Sequence, residues 1–277
     1  MSRLATIHRL LKHWVNSTSF VVVVAVVLGL AIGAAFVPRP YVATLQLTGL
    51  IDEEMSVSMQ KALTELRTDR NVKAVVLEID SPGGLVISTQ QIYSDLLKLR
   101  AEKPVVAVVG TSAASGAYYL SVACNYIYVQ PTSQVGSVGA FVGLPEPEEL
   151  TEDLLTTGPF KATERSLLDS VADLETVRQQ FVAVVIQNRN EKLNIGEEVL
   201  SRAEVYMGVQ AVNYGLVDGF GTRSDAIDKA ASLARIRNYG VTTWPLWGAK
   251  EEVPTVESLK AQVRLVPTYY YLHFESD

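Results

Sequence analysis

The sequence predicts an α/β domain on a mostly parallel sheet, preceded by one apolar helix long enough to span a membrane. Two observations predict the domain: short runs rich in Val, Ile and Tyr, and between them stretches whose apolar residues recur every three or four positions. Such alternation makes βαβ units, since parallel neighbours need a crossover connection. A third observation predicts the helix. Phe20–Val37 reads FVVVVAVVLGLAIGAAFV, 18 residues without a charge, about the length that crosses a bilayer.

Taken in order, residues 1–19 hold Arg3, Arg9 and Lys12, whereas Arg39 alone follows the run closely. The positive-inside bias therefore places 1–19 in the cytoplasm and everything after Pro40 outside it, in a single-pass protein of the cell membrane. Gly33-Ala34-Ala35 offers small residues for cleavage of a signal peptide. The run exceeds the usual apolar region of such a peptide, which favours a retained anchor over 20–37 that contacts membrane lipid. Beyond Pro38-Arg39-Pro40, Tyr41–Leu47, Ala74–Ile79, Val105–Val109 and Tyr126–Val129 read as strands. Met55–Thr68, Ser88–Leu99, Leu174–Arg189 and Asp225–Ala234 read as helices. These place one domain over 41–240, followed by a C-terminal extension, 241–277, with Pro245, Pro254, Pro267 and a Tyr269-Tyr270-Tyr271 cluster but no assignable role.

Composition narrows the chemistry. With 48% hydrophobic and 19% charged residues the chain can build a packed core. A net charge of −6 provides no basic footprint for nucleic acid. The three histidines, His8, His13 and His273, all lie outside the domain, which argues against a histidine-based triad. The single Cys124 can form no intrachain disulfide, and structural metal or another cofactor is not expected. Cys124 reads as a small buried hydrophobe.

Three segments are unlike ordinary connectors. Asp80-Ser81-Pro82-Gly83-Gly84 follows a strand and precedes a helical pattern; its glycines can present bare amides to a developing negative charge, or simply make a βα turn. Gly110 to Tyr119 again leads from strand to helix. Ser115 stands there among small residues, with the Gly116 amide beside it; a tightly packed helix start, with Ser112 as N-cap, is the other reading. The third segment is Thr132 to Gly139, followed after a loop by Thr157-Gly158-Pro159-Phe160-Lys161. Without a usable histidine, a serine needs another base, and a lysine serves if burial lowers its pKa. Nine of the ten lysines fit surface roles; Lys161 follows Gly-Pro-Phe in an irregular region, although any lysine can be a plain surface charge. Ser137 could orient the amine or be a turn residue.

Together these strings resemble the signal peptide peptidase A family, also called protease IV. The resemblance runs from about Tyr41 to Tyr239 and rests on Ile79 to Gly84, Ala114 to Tyr119, Val135 to Gly139, Thr157 to Lys161, Arg202 to Tyr206, Gln210-Ala211 and Gly215 to Asp218. It implies a Clp-peptidase or crotonase type of ββα superhelix. It also implies Ser115 as nucleophile, Lys161 as general base, Ser137 as the hydroxyl that orients the lysine, and an oxyanion hole from the amides of Gly83 and Gly116, with Gly84 supporting the turn. The implied substrates are remnant signal peptides and other short or unfolded polypeptides, and the implied assembly is a ring-like homo-oligomer. Two departures are Ala117, where the family usually has glycine, and the acidic, proline-rich Leu144 to Glu149. Acyl-thioester chemistry on the same fold and a catalytically silent membrane scaffold or peptide-binding adaptor are the competing functions.

Overall fold

The computed structural model describes residues 18–36, 39–141 and 167–246. Helix α1, Thr18–Phe36, is continuous over 19 residues and carries no ionisable side chain. Val21–Leu28 stand exposed along it. Among the described residues no helix is long and apolar enough to cross a membrane. The described residues therefore do not support the membrane span expected over 20–37.

The domain begins with β1, Tyr41–Ile51, and alternates α2 (Glu53–Thr68), β2 (Val72–Gly84), α3 (Val86–Glu102) and β3 (Val105–Ala114). Next come α4 (Gly116–Ser121), β4 (Tyr126–Val129) and β5 (Gln134–Gly136). The last part holds α5 (Leu167–Arg189), a 3-10 turn (Asn190–Lys192), α6 (Glu197–Leu200), β6 (Val205–Met207), α7 (Gly208–Asn213), β7 (Gly219–Phe220), α8 (Arg223–Leu233) and β8 (Gly240–Thr243). The eight strands form one sheet ordered β6-β5-β3-β2-β1-β8, with β4 beside β3 and β7 beside β4. All pairs are parallel except β5 with β6. The alternation expected from sequence is thus present.

Two differences from the expected boundaries matter for the site. Strand β2 does not stop at Ile79 but runs to Gly84, so Asp80 to Gly84 is strand rather than turn; a register shift between Ile79 and Ser81 lets the chain bend there. Likewise β3 continues through Ala114, which puts Ser112 inside a strand and Ser115, not Ser112, at the cap position of the next helix. Both extensions are paired: Leu50 with Gly83, Ile51 with Gly84, and Ser112 to Ala114 with Gln134 to Gly136. Neighbouring strands override the local turn preference of Ser, Pro and Gly.

The helices clad the sheet because their apolar faces match it. In α2, Met59, Ala62, Leu63 and Leu66 are buried at three- and four-residue spacing; Asp52 caps the start by accepting the Met55 N–H at 2.8 Å. Ile92, Leu96 and Leu99 do the same for α3. They join Leu45, Leu47, Leu77 and Val109 in the larger core, where each fully buried Leu, Ile or Val contributes about 1.5–3 kcal/mol. The opposite face buries Val42, Ala74, Val76 and Val106 under Ala226, Ile227 and Ala230 of α8. Cys124 lies within the larger core. Burial pushes its thiol up to about 12, so it stays protonated.

A buried ion pair fastens the far end of α5 beneath α4. Arg189 and Asp218 are 4% and 5% exposed at their side chains and meet at 2.9 Å. Arg189 also donates to Gly215 O, and Asp218 accepts the Ile127 N–H. Tyr118, fully buried, donates its hydroxyl to Leu216 O in the same segment. Burial alone would raise the Asp218 carboxyl, but Arg189, Lys192 and the Ile127 N–H together hold it below its ordinary 3.8. Lys192 also reaches Asp218, at 2.7 Å, but its side chain is 54% exposed and its pairing is worth little.

Removing one partner of such a pair leaves the other buried and uncompensated. Asp218→Asn is therefore expected to cost about 3–5 kcal/mol in urea unfolding at pH 7, and Lys192→Ala well under about 1 kcal/mol. Because the folded carboxyl titrates below the unfolded one, its contribution is complete above the ordinary value of 3.8 and is lost as pH falls below it. The gap between wild type and Asp218→Asn should narrow over that acid range; a constant gap would show that the carboxylate charge is not the cause.

Candidate active site

The candidate residues gather where β2, β3 and β5 end side by side. Ser115 occupies the junction of β3 and α4 with φ 51° and ψ −124°. That backbone region is sparsely populated by residues with a Cβ, and such strain concentrates at functional positions. It is held in place by hydrogen bonds on both sides. Ser115 N–H donates to Gly136 O at 2.9 Å, and Tyr119 N–H donates to Ser115 O at 3.0 Å. A serine on a tight strand-to-helix junction presents its hydroxyl at the sheet's edge, as nucleophilic serines require.

Gly83 comes to Ser115 from β2. Its φ is +103°, a conformation that side chains rarely adopt, and a Cβ placed there would lie 2.8 Å from both Gly116 N and Ser115 Cβ. Gly116 in turn opens α4, where an N–H has no partner within the helix. A Cβ on Gly116 would meet Thr89 Oγ1 at 2.6 Å and Gly84 N at 3.4 Å. Gly84 packs its Cα onto the Ile51 backbone, leaving no room for a side chain. Three glycines are thus needed for these chain segments to close on one serine.

From the third strand, Gly136 has φ +118° and abuts Glu204 O and the Tyr206 ring. Ser137 follows at φ 54°, its N–H bonded to Glu204 O at 2.8 Å. Since Ala114 pairs with Gly136, the next residue on each strand is Ser115 and Ser137. Thus Ser115, Gly83, Gly84, Gly116 and Ser137 are brought together. Lys161 lies outside the described residues.

Three polar residues in the neighbourhood were not singled out by sequence. Ser81, 1% exposed, accepts the Gly83 N–H at 3.1 Å. Thr89 is 4% exposed, and its hydroxyl has no partner among the described residues. Asp80 accepts the Ser112 N–H at 3.2 Å and braces the bent end of β2 against β3. Asp80 and Ser81 carried a signal only in their place within the Asp80 to Gly84 string. A threonine on the apolar side of a helix carries none.

Two family models match this chain: Clp protease over residues 42–135, from within β1 to within β5, and peptidase family S49 over residues 98–237. The Synechocystis sp. protein slr0021 is 30% identical over 242 residues, which are 82% of each chain. Protease 4 of Salmonella typhi is 31% identical over 191 residues, 64% of this chain and 31% of that much longer one. Among solved structures, a mutant of the 1510-N membrane-bound stomatin-specific protease in complex with a substrate peptide superposes with a TM-score of 0.55. At 17% identity, over 82% of this chain and 99% of that one, it shares the fold. The S49 match spans half of the chain and includes Ser115 and Ser137, and the Synechocystis relative is similar over most of its length: this chain belongs to peptidase family S49.

Proposed function

We infer that this protein is a membrane-anchored serine endopeptidase in which Ser115 and Lys161 form the catalytic pair. The observation that carries the reading is the strained Ser115 backbone closed against Gly83 and Gly116, an arrangement with no evident use in a mere packing junction. Neutral Lys161 takes the proton of Ser115 Oγ as that oxygen bonds to the substrate carbonyl carbon. Charge then develops on the carbonyl oxygen beside the backbone amides of Gly116 and Gly83. The lysine's proton passes to the departing amine, leaving an acyl-enzyme. Water, deprotonated by the same amine, releases the acid and restores Ser115. Ser137, next in register to Ser115, is suited to hold the amine in orientation. No cofactor enters any step.

An apolar rim supports short hydrophobic peptides, such as signal-peptide remnants, as substrates. Leu85, Val86 and Ile87 follow Gly84 directly, and Leu50 pairs with Gly83; all four are well exposed. The anchor is proposed on the sequence alone, from the uncharged run over 20–37 and the basic residues that precede it. The catalytic domain then lies outside the cytoplasm. A ring-like homo-oligomer, in which neighbours share the dyad, rests on family resemblance alone.

Purified Ser115→Ala and Lys161→Ala are each expected to lose at least about a thousandfold in peptide turnover while keeping the wild-type circular dichroism. Near-normal turnover by Lys161→Ala would remove the lysine from the mechanism. The full chain is expected to float with neutral phosphatidylcholine vesicles and to resist extraction by carbonate. Release into the carbonate supernatant would mean that α1 does not span the bilayer.

A further inference from the structure

The Gly83 amide, an expected oxyanion donor, is already in use. Ser81 Oγ accepts its N–H at 3.1 Å, deep in the protein, where Ser81 is 1% exposed. Beside it stands the opposite anomaly. Thr89 Oγ1, on the α3 face turned toward α4, is buried and without a partner among the described residues. Thr89 Oγ1 and Gly84 N lie 2.6 Å and 3.4 Å from the single point where a Cβ on Gly116 would stand. A buried hydroxyl without a partner is costly and rare, and asks for a second state in which it is satisfied. Ser81 to Gly84 thus holds one donor that the proposed catalysis needs but Ser81 occupies, and α3 beside it carries one buried hydroxyl with no partner among the described residues.

We propose that Ser81 to Gly84 is a latch over the active site: Ser81 caps the Gly83 amide at rest, and the Thr89 hydroxyl holds the released form by bonding the backbone at Gly84. Release turns the Gly83 N–H toward the substrate oxygen, beside that of Gly116. Gly83 and Gly84 can make the change because neither has a Cβ to restrict its backbone. Ser81 and Thr89 are positioning residues here; neither touches the reacting atoms. The inference rests on the peptidase reading above and adds a control to the same site.

The test is the second-order rate at which a fluorophosphonate labels Ser115 in the full-length protein. In that reaction the Ser115 Oγ–P bond forms, fluoride leaves, and the serine proton passes to the base. Wild type and Ser115→Ala come first: if both label alike, the peptidase reading itself fails, whatever the latch does. Given labelling at Ser115, Ser81→Ala is expected to react about fivefold faster, the factor set by loss of one hydrogen bond from the resting form. Thr89→Val is expected to react about tenfold slower, with a Tm equal to or above that of wild type, because a buried hydroxyl with no partner among the described residues has been removed from the resting form. Thr89→Ser should restore the wild-type rate. A Ser81→Ala rate at or below wild type, or a Thr89→Val rate equal to it, would overturn the latch and leave the two residues as packing.

Discussion

The close approach of Gly83 to Ser115 is the constraint on which the rest of the structure depends. Two parallel strands must deliver backbone to within van der Waals contact of one serine, at a distance no side chain at residue 83 would tolerate. That closeness exists because β2 continues past its expected end, still paired through Gly83 and Gly84 to β1. It exists also because β3 exchanges partners, lying beside β4 at Val106 to Val108 and beside β5 at Ser112 to Ala114. Ser133 ties that exchange by donating to Gly110 O at 2.6 Å while accepting the Gln130 N–H.

Rigidity beneath the serine comes from a different set of contacts. Tyr118 and Tyr119, next along α4, leave the site in two directions. Tyr118 bonds Leu216 O, within the segment fastened by Arg189 and Asp218. Tyr119 packs edge-on against Phe181 of α5, ring centroids 5.0 Å apart, and against Tyr93 of α3 at 4.7 Å. Helix α4 is thereby held to both α3 and α5 by aromatic rings with few rotamers. Strain at Ser115 persists only because its surroundings over-determine it. The Ser81 to Gly84 segment is built differently, from two glycines and one serine hydrogen bond of 3.1 Å.

The order and type of the long elements were legible in the sequence because they follow from local periodicity. Ile92, Leu96 and Leu99 mark a helix whatever lies beside them, and Tyr126–Val129 proved a strand with the expected ends. The short strands β5, β6, β7 and β8 were not legible; with two to four residues each, they exist because a neighbouring strand offers a free edge. In the site, Ser115, Ser137 and the glycines could be named from the strings around them. Ser81 as the partner of Gly83, Thr89 as a buried hydroxyl with no partner among the described residues and the Arg189–Asp218 pair could not, since each depends on which segments meet.

By itself, the sequence determined the alternation of strand and helix, the uncharged run that becomes α1, the exclusion of histidine and disulfide chemistry, and the small residues that make close backbone contact possible. Only the tertiary structure decided that this contact falls at Ser115, that Asp80 to Gly84 is strand rather than turn, and that the Gly83 amide is engaged by Ser81. The physical reason is separation along the chain. Periodicity and propensity act within a turn or two, whereas residues 83, 115 and 136 meet only after α3 and α4 have packed and the register of β2, β3 and β5 has been set.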